Sequence, residues 1–156
     1  MTYIREFIIA TIAAIGFAYV FGSPKKSVLI SALNAGFGWI IFKFIKDATG
    51  SVYLGSFISA LSVAISSEFL ARIFHYPASV FIFPGIINLC PGEAIYNTMK
   101  YFIANDNYMT ILSSYRALGI AAAIAFGVLL SSSFSVSLKT FKQRSQRRTD
   151  FLRRKK

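Results

Sequence analysis

Acidic side chains are scarce in this chain, with six among 156 residues against seventeen Lys and Arg. Cysteine and histidine each occur once, as Cys90 and His75. One cysteine excludes an intrachain disulfide framework. One histidine, in a turn beside Tyr76-Pro77 with no cysteine near it, leaves no ligand set for a metal. The sequence also holds no His-Glu-x-x-His, no Gly-x-Ser-x-Gly elbow and no phosphate-binding Gly-Lys-Ser/Thr loop. Nothing assembles a nucleophile, a base and an orienting group, so an enzyme has no support here and no cofactor is called for. Charged residues are 15% of the chain, where a soluble domain carries about a quarter.

What fills the chain instead is apolar: 55% of residues, with a mean hydropathy of +0.57. The charge is segregated. Residues 139–156 hold nine of the seventeen basic groups and one acid, Asp150, which makes this tail +8 and leaves +3 for residues 1–138. A pI near 10 suggests nucleic acid in other chains. Here it reports one tail without an aromatic stacking platform, so no nucleic-acid partner is expected. The reading is a membrane domain over 1–138 and a basic cytoplasmic tail over 139–156.

Five apolar segments emerge, at about 7–21, 28–45, 52–74, 78–104 and 110–138. Each is near the roughly 20 residues that cross a bilayer as a tilted helix. The first follows a short leader with Arg5 as its positive charge and is read as a retained span, not a cleaved signal. The expected fold is therefore an all-α membrane protein of about five helices. With the basic tail in the cytoplasm, Lys25, Lys26 and the Arg72–His75 loop lie there too, and the amino end lies outside, in agreement with the positive-inside rule. Lys43 and Lys46 weaken this partition. A four-span alternative, with the fourth segment re-entrant, loses the agreement for the earlier loops.

Small residues recur every four positions: Ala10, Ala14, Ala18 and Gly22; Ser56, Ala60 and Ala64; Gly119, Ala123, Gly127 and Ser131. This spacing lets membrane helices pack closely. It amounts to more close-packing surface than one five-helix bundle obviously uses, so some of it is expected to meet another subunit. The second stripe continues into Glu68 and Arg72, whose i,i+4 spacing favours an ion pair. A carboxylate at membrane depth is costly and is either paired or functional. Glu68 is thus either a register-fixing partner of Arg72 or a proton carrier. Lys100 and Arg116 flank the loop at 105–107 and are expected to snorkel to the interface.

The fourth segment carries Pro84-Gly85-Ile86-Ile87-Asn88-Leu89-Cys90-Pro91-Gly92. Proline removes a backbone donor and glycine adds freedom, so two Pro-Gly pairs are expected to break the helix. Unpaired backbone survives at membrane depth only where protein or a water-filled cavity surrounds it, and transporters place their substrate sites at such breaks. A plain proline kink is the alternative. The candidate substrate or gating residues are Pro84, Gly85, Asn88, Pro91, Gly92, Tyr96, Asn97 and Thr98. Glu93, in the first turn after Pro91, is a second proton-coupling candidate, although the helix dipole alone would also favour it there.

The run Ser67-Glu68-Phe69-Leu70-Ala71-Arg72, then Pro77-Ala78-Ser79-Val80-Phe81, Pro84-Gly85-Ile86-Ile87, Pro91-Gly92 and Tyr96-Asn97-Thr98-Met99 resembles the threonine/serine exporter family in its short-subunit type. Gly16-Phe17-Ala18, Pro24-Lys25-Lys26 and Gly36-Phe37-Gly38-Trp39 fit the same pattern. The likeness covers roughly residues 10–135 and leaves out the tail. It implies an inner-membrane protein that works with a longer subunit to export small amino acids such as threonine and serine, or carboxylates such as succinate, driven by protons. Asn88 stands where the family usually has proline, and Glu93 where it usually has a small residue. A homo-oligomer is also open. The alternative from another class is a non-transporting scaffold whose tail recruits a partner or anionic lipid.

Overall fold

The computed structural model describes residues 2–153 of the backbone and side chains 3–133, so the side chains of the basic tail lie outside the described residues. Six α-helices follow one another: α1 (Thr2–Val20), α2 (Lys25–Thr49), α3 (Val52–Phe74), α4 (Ser79–Ile86), α5 (Gly92–Ile103) and α6 (Asn107–Arg153). A single 3₁₀ turn, Ile87–Leu89, joins α4 towards α5. Among the described residues there is no strand. α1, α2, α3 and residues Asn107–Ser133 of α6 are each long and apolar enough to cross a membrane. α4 with its 3₁₀ turn and α5 pass that test together, bent by 46°.

The register between helices decides how to count the bent pair. Gly119 lies against the Tyr53 ring, and Gly127 lies against the backbone of Phe57 and Leu61. α6 therefore runs parallel to α3. α4 runs antiparallel to α3, with Gly85 against Val63 and Leu89 in one cluster with Ala60. A re-entrant α4–α5 would return the chain to its starting side and make α6 antiparallel to α3. The bent pair is thus one crossing, and the bundle is traversed five times.

The small-residue stripes are spent inside the chain. Ala14 packs with Ala32 and Ala35 between α1 and α2, and Ala60 packs with Leu89, Ile120 and Ile124. A Cβ on Gly127 would come within 2.8 Å of the Phe57 carbonyl oxygen and 3.0 Å of the Leu61 nitrogen. The expected surplus of close-packing surface is met largely by α3 against α6 and α1 against α2. Polar side chains seal the centre: Asn34 Nδ2 donates to Ser67 Oγ at 2.9 Å, and Ser66 Oγ donates to Asn34 Oδ1 at 2.6 Å. In hydrocarbon such bonds satisfy groups that water cannot reach.

The two Pro-Gly pairs do not act alike: the α-helix is interrupted over residues 87–91, between the pairs, but Pro84 and Gly85 themselves stay inside α4. The helix runs straight through Pro84 and Gly85. Pro84 deprives the Val80 carbonyl of its intrahelical donor, but Ser31 Oγ on α2 donates to that carbonyl at 3.3 Å. Gly85 is there for close approach, since a Cβ would fall 2.5 Å from Val63 Cγ1. The break comes later. Cys90 is extended, with φ −53° and ψ 141°. Pro91 precedes the first residue of α5, so its missing N–H costs no helical bond.

Candidate functional site

The break opens on a cavity of about 470 Å³. Asn88, Cys90, Pro91, Gly92 and Glu93 form one wall, and Asn97 adds an amide from the next turn of α5. α2 contributes Trp39, Lys43, Lys46 and Asp47; α1 contributes Glu6; α6 contributes Arg116 and Ile120. Ser56 closes the floor from α3. It lies one turn inside the start of that helix, about 6 Å along the axis.

Charge is concentrated here. Glu6, Asp47 and Glu93 line the cavity, and so do Lys43, Lys46 and Arg116, three groups of each sign. These are three of the five acids that lie outside the tail. The Ser56 hydroxyl is fully buried and has no hydrogen-bond partner within the protein. A buried, unpaired polar group costs about 1–3 kcal/mol, and this one belongs to a residue in the cavity wall. The amino end of α5 opens on the same space, with Glu93 in its first turn, where the helix dipole favours an anion.

A polar seam fastens α1 to α2 at this level. The Glu6 carboxylate accepts from Trp39 Nε1 at 3.2 Å through one oxygen and pairs with Lys43 Nζ through the other. The Lys43 ammonium also sits 5.4 Å from the centre of the Tyr3 ring, and the Tyr3 hydroxyl donates to Asp47 Oδ2 at 2.9 Å. Asn88 Nδ2 donates to the Ala10 carbonyl at 2.9 Å, which ties the break to α1 one turn beyond Glu6.

Of the candidates named from sequence, Asn88, Pro91, Gly92, Glu93 and Asn97 come together around the cavity. Pro84 and Gly85 are buried between α4 and its neighbours. Tyr96 is 67% exposed on the outer face of α5, and the Thr98 hydroxyl donates to its own helix at the Ala94 carbonyl. None of these four lines the cavity. Glu68 pairs with Arg72 at 3.9 Å, three turns of α3 away from Ser56. Arg116, an exposed residue of α6, also lines the cavity.

Sequence reasoning missed Glu6 altogether. It also treated Lys43 and Lys46 only as topology signals, and Ser56 only as a packing residue. A signal was present: Trp39, Lys43 and Asp47 recur every four residues, and Tyr3 and Glu6 stand three apart. Each set forms a polar stripe on one face of an otherwise apolar helix.

A broken helix within an apolar bundle, with a charged cavity at the break, is an arrangement that membrane transporters use. The chain belongs to the threonine/serine exporter family. Residues 6–134 match the family described as Threonine/Serine exporter, ThrE. Over 119 residues, 76% of this chain and 24% of the relative, it is 29% identical to a protein named threonine/serine exporter from Corynebacterium glutamicum. The chain thus spans about a quarter of that relative's length. No solved structure matches it.

Proposed function

We propose that this chain is the short subunit of a proton-coupled secondary exporter of small zwitterionic amino acids, threonine or serine, across the bacterial inner membrane. The observation that carries the substrate class is the balanced lining of the cavity, with three acids and three bases around about 470 Å³. A zwitterion presents both signs to such a lining. A dicarboxylate such as succinate would bring two negative charges into a space whose own charges already cancel, so no net positive charge is there to offset them. The Ser56 hydroxyl and the Asn88 and Asn97 amides supply neutral hydrogen-bonding groups for a hydroxylated side chain.

Glu93 is the proton carrier in this reading, because it faces the cavity whereas Glu68 is paired with Arg72 at the far end of α3. Five crossings put the two ends of the bundle on opposite sides, and the positive-inside rule supports the basic carboxyl end being the cytoplasmic one. A longer subunit, or a second copy of this chain, completes the exporter; the C. glutamicum protein, about three times as long as this chain, supports a larger working unit.

The test is export from membrane vesicles of labelled threonine, serine and succinate, with and without a co-expressed longer subunit. Threonine or serine is expected to move down an imposed pH gradient and succinate is not. Glu93→Gln should abolish gradient-driven export while the protein still inserts and binds substrate. Glu68→Gln should lower stability by a few tenths of a kcal/mol, the range for a half-exposed i,i+4 pair, and leave coupling in place. Gradient-driven export that survives Glu93→Gln removes this residue from the mechanism.

A further inference from the structure

A second, more apolar cavity of about 240 Å³ lies on the α1 side of the break, lined by Ile9, Ala10 and Ala13. It shares three lining residues with the large cavity: Glu6, Trp39 and Asn88. These three side chains therefore form the wall between the two spaces. Each is held by a bond that crosses from one element to another: Trp39 Nε1 to Glu6, Lys43 to the other Glu6 oxygen, and Asn88 to the Ala10 carbonyl. The small residues beside the wall, Ala10 and Ala13, leave room for a side chain to swing.

We propose that the wall is a gate and that the Glu6–Lys43 ion pair is its latch. With the pair formed, the charged cavity is closed towards α1. When it parts, the Glu6 carboxylate leaves the Trp39 indole and the two spaces become one continuous passage of roughly their summed volume. A ligand carrying both an ammonium and a carboxylate has the chemistry to part the latch, because it offers Glu6 a replacement cation and Lys43 a replacement anion. The ion pair is then exchanged and no charge is left unpaired. Ligand binding and gate opening become linked by differential affinity for the open form. This assignment rests on the transport reading for its purpose, and on the wall's geometry for its existence.

The experiment reads the gate without transport. Ala13 lies on the far side of the wall from the charged cavity. In a Cys90→Ala background, Ala13→Cys is labelled in intact membranes with a membrane-impermeant maleimide. Labelling is expected to be slow with the latch intact and to rise about tenfold or more with Glu6→Gln or with Lys43→Met, as an opening equilibrium shifts by a decade. The charge-reversed pair Glu6→Lys with Lys43→Glu should slow it again. Threonine added to the Ala13→Cys protein should speed labelling, and the same concentration should have no effect once Glu6 is Gln. Equal labelling rates in the latched protein and in both single variants overturn the gate. Faster labelling in the variants, together with failure to export any labelled substrate, keeps the gate and removes the exporter reading.

Discussion

Ser31 Oγ donates to the Val80 carbonyl, the acceptor that Pro84 leaves without an intrahelical partner four residues on. A side chain on α2 thereby repairs a defect in the backbone of α4. The repair lets Pro84 sit inside α4, which ends two residues later at Ile86; the extended backbone comes at Cys90 and Pro91, after the 3₁₀ turn.

That relationship makes a double-mutant cycle informative. Ser31→Ala alone should destabilise the protein by about 1 kcal/mol, the range for interhelical hydrogen bonds in a membrane. Pro84→Ala restores the N–H that closes onto the Val80 carbonyl. In the Pro84→Ala background, therefore, Ser31→Ala should cost close to nothing. Thermal or denaturant unfolding in detergent measures both steps. Equal costs in the two backgrounds would mean that the hydroxyl serves some other purpose.

Gly127 makes a second test, aimed at the crossing of α6 over α3. Its missing Cβ would strike the Phe57 carbonyl and the Leu61 nitrogen, backbone atoms that cannot rotate away. Gly127→Ala should cost about 1–3 kcal/mol through overpacking, and Gly127→Leu should abolish the α3–α6 contact. The natural comparison is Gly16, where a Cβ meets nothing within 4 Å. Gly16→Ala should be neutral or slightly stabilising, since alanine is the better helix former. Retained yield and unchanged unfolding for Gly127→Leu would refute the crossing.

Cys90 reports on the cavity directly. It is exposed and lies on the break, among the lining residues. In intact membranes it should react with a small water-soluble thiol reagent, and a bound zwitterion should slow the reaction. The expected protection comes from occupancy of the cavity. A thiol that stays inert to water-soluble reagents would show that the space is dry and would end the cavity's role as a substrate site.

Much of the architecture was legible beforehand because membrane helices announce themselves by length and hydropathy. The segment at 52–74 coincides with α3 and most other ends move by only a few residues, but α6 runs on to Arg153, fifteen residues past the expected end at 138. The break between α4 and α5 was legible from Pro91-Gly92, and so was the Glu68–Arg72 pair from its i,i+4 spacing. What misled was Pro84-Gly85. Local chemistry marks both residues as helix breakers, while a hydroxyl 53 residues earlier in the chain and a Val63 side chain that needs the room decide otherwise. The same limit hid Glu6, whose importance lies in partners more than thirty residues away on α2.

The sequence by itself determined the solvent this protein folds in, the place of its discontinuity and the family it belongs to. Those properties follow from composition, run length and short motifs, all of which act over one helix or less. Only the tertiary structure decided which charges meet. Six ionisable groups from α1, α2, α5 and α6 converge on one cavity beside the break, and the Ser56 hydroxyl there is left without a partner. Helix register sets those encounters, and register is a property of packed faces, which a single strand of text does not contain.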